Sequence, residues 1–143
     1  FLLRRGAQAD TDETISPLFR AAESRQFLMV RALIRAGADV NRGNPEETAL
    51  SAAVRVRDID SVRLLLAAKA SPDRACTDAT TGAAGMTPLM FAARSGDAAI
   101  IRLLLAAQAD PALKNAAGKS ALDFAREGNH VDTTELLTAA ARP

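Results

Sequence analysis

The stretch Met86-Thr87-Pro88-Leu89-Met90-Phe91-Ala92-Ala93 decides the fold of this chain, because degraded copies of it occur three more times. The copies begin at Ser16, Thr48 and Ser120, which match Thr87 of the quoted stretch, so successive starts lie 32, 39 and 33 residues apart. A second apolar phrase, such as Leu104-Leu105-Ala106-Ala107-Gln108, ends 21 residues after each of the first three starts. A period in this range is typical of stacked supersecondary units rather than of one compact core.

The third copy shows how one unit is built from two helices. Thr87 offers a side-chain oxygen as N-cap, and Pro88 fits the first helical position, where an N–H is not needed. Apolar residues then recur within 89–93 at the i, i+3 and i+4 spacing of an amphipathic helix. Gly96 breaks this helix, and a second helix over about 98–106 carries another apolar face. Each unit therefore predicts a helix, a short turn, a second helix and an extended finger.

Two short helices cannot bury their apolar faces alone, so neighbouring units must supply the missing burial by stacking. We therefore predict one all-α domain, an α-solenoid of helix-turn-helix units linked by β-turn or finger loops. Its predicted parts are a partial repeat at 1–12, repeats at 13–45, 46–84 and 85–117, and a C-terminal capping repeat at 118–143. Since the chain opens in the middle of a unit, we expect it to be a piece of a longer protein.

Two units depart from the regular pattern. The second is six residues longer than the others, which predicts an inserted finger loop within 70–85, the stretch that contains Cys76. Such a loop is either a tolerated surface insertion or a lengthened contact for a partner. The last unit has Thr133 and Thr134 where other units have apolar residues. This change predicts a polar outer face that closes the array.

The residue directly after each second helix is a further point of variation. Glycine is favoured there because this residue usually adopts a positive φ. The first full unit has Gly37, whereas Lys69, Gln108 and Ala141 occupy the same position later. Because a side chain in this conformation costs roughly 1 kcal/mol, we expect the second unit to end less securely than the first.

The repeated phrase resembles the ankyrin repeat, whose pattern reads T-P-L-H-x-A with a period of about 33 residues. Gly37-Ala38-Asp39-Val40-Asn41 is similar to the G-A-D-V-N of that family, and His130 matches its second histidine. The family's first histidine is replaced in all four units, by Phe19, Ser51, Met90 and Asp123. The resemblance covers nearly the whole chain and implies a stack of ankyrin repeats that binds other proteins.

Composition restricts the classes of partner and compartment. The formal net charge of +1 gives no electrostatic reason to expect nucleic acid or an anionic membrane as partner. No apolar run approaches 18 residues, so we predict no membrane span. Cys76 is the single cysteine, which excludes an internal disulfide and fits a reducing compartment. We expect a monomer in the cytoplasm, with export or a periplasmic location left open.

The sequence offers little chemistry for catalysis. Cys76 and His130 are the obvious nucleophile and base, but they lie in different units that a solenoid keeps apart. The glycines of 82–85 lack the lysine and the preceding strand of a phosphate loop. Because Asp58 and Asp60 have no further metal ligands nearby in the sequence, we predict that they lie in a solvated turn between helices. We therefore predict no enzyme activity, no cofactor and no metal.

The remaining candidates lie on the surface. The resemblance implies that partners contact the finger tips and the exposed side of the first helices, which together form a concave face. The arginines there predict a partner with an acidic surface, although they can equally be solubilising charges. Carried over by position, the candidate contact residues are Glu13, Ile15, Arg20, Glu23, Asn44, Glu47, Arg55, Arg57, Met86, Arg94, Lys119 and Glu127.

The sequence thus predicts a non-catalytic module for protein–protein interaction. The alternative is a regulatory or targeting ankyrin segment of a larger multidomain protein whose activity lies outside this chain. The two hypotheses share the same surface and differ in what precedes Phe1.

Overall fold

The computed structural model describes residues 15–44, 46–78, 80 and 83–141. These ranges hold eight α-helices in four consecutive pairs and no strand. The first helices of the pairs are α1 (Pro17–Glu23), α3 (Ala49–Arg55), α5 (Pro88–Ser95) and α7 (Ala121–Glu127). The second helices are α2 (Phe27–Arg35), α4 (Ile59–Ala67), α6 (Ala98–Ala106) and α8 (Val131–Ala140). The predicted all-α repeat architecture is confirmed, and the second helix predicted over 98–106 is α6.

Each first helix begins at a hydroxyl residue that accepts a backbone N–H. The side-chain oxygens of Ser16, Thr48, Thr87 and Ser120 accept from Leu18, Ser51, Met90 and Asp123 at 3.2, 3.2, 3.3 and 3.4 Å. A cap of this kind stabilises a helix by about 1 kcal/mol. The four starts of the sequence period are therefore four helix N-termini, and the N-cap role predicted for Thr87 is confirmed.

The contacts of the chain fall into two compact units, Phe1–Ser71 and Pro72–Pro143. In the first unit α1 packs against α3 and α2 packs against α4, while each helix also contacts its own pair mate. In the second unit α5, α7, α6 and α8 pack in the same manner. Stacking of like helices buries the face that a single pair leaves open. This division describes contacts and not cooperative unfolding, so it does not test the prediction of a single domain.

The core of each unit consists of leucines surrounded by small side chains. Leu65 and Leu104 occupy the same position of successive second helices, and both are fully buried. Burying such a side chain contributes about 1.5–3 kcal/mol. Alanines of the first helices, such as Ala53 and Ala93, are fully buried beside them. Since alanine fills little volume, the helices can approach closely enough for thin layers.

The turn between the helices is left-handed in all four repeats, and the turn after the second helix is left-handed in the first three. The turn between the helices has Arg25, Arg57, Gly96 and Asn129 at φ 58, 59, 70 and 57°. The turn after the second helix has Gly37, Lys69 and Gln108 at φ 90, 70 and 71°. The positive φ expected at Lys69 and Gln108 is confirmed. The prediction for Ala141 is wrong, because α8 has ten residues and Ala141 ends it in the right-handed region at φ −79°.

The inserted finger is closed at its base by two backbone hydrogen bonds. The N–H of Cys76 donates to the carbonyl of Met86 at 2.8 Å, and that of Gly85 donates to the carbonyl of Cys76 at 2.7 Å. Cys76 is a buried free thiol at this closure. Residues 79, 81 and 82 of the predicted insertion lie outside the described part of the chain.

The prediction that Thr133 and Thr134 give the last repeat a polar outer face is wrong for Thr133. This side chain is 1% exposed, and its hydroxyl donates to the carbonyl of His130 at 3.0 Å. Thr134 is half-buried and donates to the same carbonyl at 2.7 Å. A threonine in a helix can satisfy its hydroxyl on the preceding turn, so it takes a core position that sequence alone assigns to solvent.

Candidate interaction surface

The predicted tip residues and the predicted helix-end residues are neighbours within a repeat. In each repeat, the tip residue that directly precedes the N-cap and the helix-end residue of the same first helix are eight positions apart. Side-chain contacts join Glu47 to Arg55, Met86 to Arg94 and Lys119 to Glu127 in this way. We call the described candidates outside the interior, apart from the inter-helix turn residue Arg57, the tip–helix surface: Ile15, Arg20, Glu23, Asn44, Glu47, Arg55, Arg94, Lys119 and Glu127.

In the first unit, Arg55 is held between two carboxylates. Its Nη2 lies 3.2 Å from Oε2 of Glu47 and 3.4 Å from Oε1 of Glu23, and its Nε lies 3.2 Å from Oε1 of Glu47. The hydrogen bonds that Arg55 donates to Glu47, helped by the charges of both glutamates and opposed by partial burial, raise the pKa of Arg55. Arg55 is therefore not a free cation, and this ion triad joins α1 to α3.

Arg20 and the turn arginine Arg25 differ from Arg55 in their surroundings. Both are exposed, and neither takes part in an ion pair within the part of the chain that the structure describes. Arg57 is also exposed and occupies the same turn position as Arg25. Arg20 and Arg25 thus differ from Arg55, which is held in an ion triad, although the sequence pattern did not separate Arg20 from Arg55.

The finger that precedes α3 is organised by Asn44. Its Oδ1 accepts the backbone N–H groups of Glu46 and Glu47, and its own N–H donates to the carbonyl of Glu47 at 2.9 Å. A side chain bound to its own backbone in this way shapes a turn. Asn44 therefore positions Glu47 for its contact with Arg55. Ile15 is half-buried, and Glu13 lies outside the described residues.

In the second unit, the placement of Met86 at a tip is wrong. Met86 is 1% exposed because the inserted finger folds back at this point, where its N–H donates to the carbonyl of Ala83 at 2.9 Å. Its sulfur instead supports Arg94, whose Nη1 lies 3.8 Å from Sδ. The guanidinium of Arg94 also lies 5.4 Å from the ring centroid of Phe91. Arg94 is exposed and held in place by these contacts.

The other ion pair of the second unit joins Lys119 and Glu127. Nζ lies 2.6 Å from Oε1, and it also lies 5.8 Å from the ring centroid of Phe124. The charges are inverted relative to Glu47 and Arg55 at the same repeat positions. Opposite signs at this spacing in two repeats were the sequence signal that could have revealed the pairing.

His130 belongs to the turn between α7 and α8, and its ring packs against the turn between α5 and α6. Its Nε2 is 3.1 Å from the carbonyl of Arg94, which can only accept, so this nitrogen donates. A Cβ added to Gly96 would lie 2.5 Å from Nδ1 of His130, so the ring covers this turn. Asp58 is 8% exposed, in place of the solvated turn expected from sequence. Its carboxylate caps α4 by accepting the backbone N–H of Ser61 at 3.4 Å, and it also accepts the Ser61 hydroxyl at 2.7 Å.

The described ranges hold no candidate for a metal site or for a membrane span. No group of three or more His, Cys, Asp or Glu side chains could hold a metal ion there. Over the same residues, each helix is too short or too polar to cross a bilayer.

Comparison with known proteins gives a family for this architecture. A family model described as ankyrin repeats (3 copies) matches residues 1–76 and matches again over residues 70–143. The two matches together extend over the whole chain. No curated protein matches it.

Proposed function

Because the chain belongs to the ankyrin repeat family, we propose that it is a non-catalytic module that binds another protein through the tip–helix surface. Ankyrin repeats are generally protein–protein interaction modules. The observation that carries the proposal is that the first helices have buried residues and exposed residues with different roles. Residues such as Leu50 and Ala53 are buried by stacking, whereas Arg20, Arg55 and Arg94 of the first helices are exposed.

The charged residues of this surface are organised rather than scattered. The ion triad fixes Arg55 between Glu23 and Glu47, and Lys119 is fixed by Glu127. Exposed pairs of this kind contribute about 0–1 kcal/mol to stability. Their larger effect is on recognition, because side chains that are already ordered lose less entropy when a partner binds. The proposed partner therefore complements a fixed pattern of alternating charge.

Exchange of paired charges tests the proposal with little change in stability. The test variant carries Glu47→Arg with Arg55→Glu and Lys119→Glu with Glu127→Lys, and it includes Glu23→Gln to avoid a new repulsion. The matched control exchanges the exposed pair of α4, with Asp60→Arg and Arg63→Asp, whose atoms lie 3.9 Å apart. Both variants are compared with the wild-type chain as bait in extracts of the native source.

The captured protein is then purified and titrated by calorimetry. We expect the test variant to bind it at least about tenfold more weakly, which corresponds to about 1.4 kcal/mol. The control should bind as the wild type does. Equal affinity of all three chains, or the absence of any specific partner, contradicts the proposal.

The proposal takes the chain to act as a monomer. Among the described residues, the large apolar side chains that are exposed are Leu28, Leu113 and Val131, which lie on different elements. Scattered apolar residues of this kind do not indicate an interface. Light scattering over a range of concentrations should give a constant mass near 15.0 kDa; a mass that doubles with concentration would contradict it.

A further inference from the structure

The third repeat has a cation at the tip–helix surface without a carboxylate beside it. In the second and fourth repeats, the residue directly before the N-cap forms an ion pair with the residue near the end of the first helix. These pairs are Glu47 with Arg55 at 3.2 Å and Lys119 with Glu127 at 2.6 Å. The third repeat has Met86 and Arg94 at the same two positions. A thioether therefore stands where the second repeat has a carboxylate, and the guanidinium has no counter-ion there.

Arg94 is oriented by its neighbours but is not neutralised by them. Its Nη1 lies 3.8 Å from Sδ of Met86, and its guanidinium carbon lies 5.4 Å from the ring centroid of Phe91. Met86 and Phe91 are both buried, so they form a fixed support. A thioether is a weak acceptor, whereas a guanidinium has five N–H donors. Because Arg94 is exposed and forms no ion pair within the part of the chain that the structure describes, donors remain available for an outside acceptor.

The fourth repeat shows the same arrangement with a carboxylate present. Nζ of Lys119 lies 5.8 Å from the ring centroid of Phe124 and 2.6 Å from Oε1 of Glu127. Phe124 occupies the repeat position of Phe91. The cation of the fourth repeat thus contacts both an aromatic ring and a carboxylate, whereas Arg94 has the ring without the carboxylate.

The adjacent repeat does not supply the missing carboxylate. In the first unit, the helix-end residues of adjacent repeats touch, since Oε1 of Glu23 lies 3.4 Å from Nη2 of Arg55. Arg94 and Glu127 are the corresponding residues of the second unit. The carboxylate of Glu127 is bound by Lys119, and among the described residues no ion pair joins it to Arg94. A carboxylate that binds Arg94 therefore has to come from outside these residues.

We propose that Arg94 is the anchor through which the tip–helix surface binds an acidic side chain, aspartate or glutamate, of a partner protein. The inference rests on the proposed function and deepens it, because it names the chemical group that the partner presents at one position. A guanidinium binds a carboxylate through two parallel N–H···O bonds. Since Met86 and Phe91 already orient the side chain, it loses less entropy on binding than an unsupported arginine does.

The charge of the second unit favours a carboxylate over a phosphate. A phosphoryl group carries about −1.5 to −2 charges at pH 7, and its usual protein sites are clusters of arginines. Residues 72–141 hold six basic and eight acidic side chains, so Arg94 is one cation in a unit with an excess of negative charge. A singly charged group is repelled less by this excess than a phosphate is.

Nuclear magnetic resonance on the whole chain tests the site without a known partner. The probe is an end-blocked tripeptide with a glutamate between two glycines, and the matched control peptide has glutamine instead. Both are added at constant ionic strength while the Nε–Hε signals of the arginines are followed. We expect the glutamate peptide to shift the Arg94 signal in a saturable manner, and the glutamine peptide to leave it in place.

Arg102 is the control arginine within the same unit. It is exposed and forms no ion pair among the described residues, as Arg94 does, but it has no ring or sulfur contact there. Its signal should shift only slightly and without saturation. A difference between the two arginines reports the contribution of the support and not of exposure alone.

Substitution of Met86 tests the comparison with the second repeat. Met86→Glu supplies an internal carboxylate where the second repeat has Glu47, and it should suppress the response of Arg94 to the glutamate peptide. Met86→Gln is the uncharged matched control and should retain that response. Circular dichroism establishes whether both variants fold; if either does not, the comparison of Arg94 with Arg102 in the wild-type chain decides.

The partner captured by the wild-type chain provides a second measurement. Arg94→Gln should bind it about tenfold more weakly. Arg94→Lys keeps the charge but loses the two-bond geometry, so it should also bind more weakly than the wild type. These variants keep the backbone carbonyl that accepts from His130, so the turn beneath it is unchanged. The matched control, Arg102→Gln, should change the affinity less than about twofold.

Four results would overturn the inference. They are no saturable shift of Arg94, equal shifts of Arg94 and Arg102, a higher affinity for a phosphoserine tripeptide than for the glutamate one, and unchanged partner affinity of Arg94→Gln. A partner that is lost on exchange of the tip–helix charges but binds Arg94→Gln normally supports the proposed function alone. Absence of any partner contradicts the proposed function, and the tripeptide titration then decides the inference.

Discussion

The two compact units are built from the same helix pairs, but they treat the turns between those helices differently. The first unit has Arg25 and Arg57 in the left-handed region, whereas the second has Gly96 and Asn129. The second unit also covers one of these turns with the ring of His130. Its turns therefore use residues suited to the backbone, while those of the first unit carry exposed cations.

Charge follows the same division. Residues 15–71 hold nine basic and six acidic side chains, and residues 72–141 hold six basic and eight acidic ones. The buried positions, in contrast, are equivalent in the two units, as Leu65 and Leu104 show. The repeat pattern therefore determines side chains that are buried in the core. The two units differ at exposed positions, which core packing does not constrain.

The strongest way to break this comparison is to truncate equivalent core residues. Leu65→Ala and Leu104→Ala each leave a cavity in a fully buried layer, and each should lower the free energy of unfolding by about 2–5 kcal/mol. Urea denaturation followed by circular dichroism measures both. We expect similar losses in the two units; a difference of more than about 2 kcal/mol would show that the interiors are not equivalent.

Exchange of turn residues sharpens the comparison at its main point. Gly96→Ala should lower stability by about 1–3 kcal/mol, because the backbone is left-handed and the added Cβ would meet the ring of His130. Arg57→Gly should instead raise stability, by up to about 1 kcal/mol. Thermal unfolding of the two single variants gives the signs. The comparison would fail if both substitutions changed Tm in the same direction.

Buried hydroxyls at one repeat position provide a smaller contrast. Ser61 donates to the carboxylate of Asp58 at 2.7 Å, while Thr133 donates to a backbone carbonyl at 3.0 Å. Ser61→Ala should cost about 1–2 kcal/mol, because a buried charged acceptor loses a donor. Thr133→Val should cost less than about 1 kcal/mol, since Thr134 still donates to the same carbonyl. Chemical denaturation that ranked the two losses the other way would contradict this account.

The smallest expected effect concerns pH and the capping box of α7. Hydrogen bonds from the backbone and hydroxyl of Ser120 lower the pKa of Asp123 below its ordinary value of 3.8. A carboxyl group with a lowered folded pKa stabilises the fold above its unfolded pKa. This contribution is lost as pH falls from about 3.8 through the folded value.

The group is exposed to solvent, so the effect should stay below about 1 kcal/mol. Denaturant unfolding of the wild type and of Asp123→Asn should differ at pH 7, and the difference should shrink as pH falls from about 3.8 through the folded pKa. The first helices of the first unit have Phe19 and Ser51 at this position, so Ser51→Ala serves as a control without this pH dependence. A difference between wild type and Asp123→Asn that persists at low pH would contradict the assignment.

The sequence predicted those features that the repeat period encodes. The N-cap at Thr87, the second helix over 98–106 and the left-handed Lys69 all follow from position within one unit. Each depends on local chemistry that acts within a few residues. The family resemblance drawn from the same positions is confirmed by the family match.

Features that depend on distant contacts were not predicted. Arg55 looked like a free cation because its partners Glu47 and Glu23 are eight and 32 residues away. Met86 looked exposed because an insertion of unknown path precedes it, and Thr133 looked solvated because polarity was taken for exposure. In each case the contacts or the burial of the side chain depend on packing, about which the sequence period gives no information.

The closed base of the inserted finger separates the length of that loop from the integrity of the stack. Backbone hydrogen bonds from Cys76 to Met86 and from Gly85 to Cys76 hold the two ends of the loop together. The entropy of closing a loop grows only slowly with its length. The finger is therefore a position where evolution or an engineer can add, remove or replace residues, such as a label or a recognition peptide, without redesigning the repeats on either side.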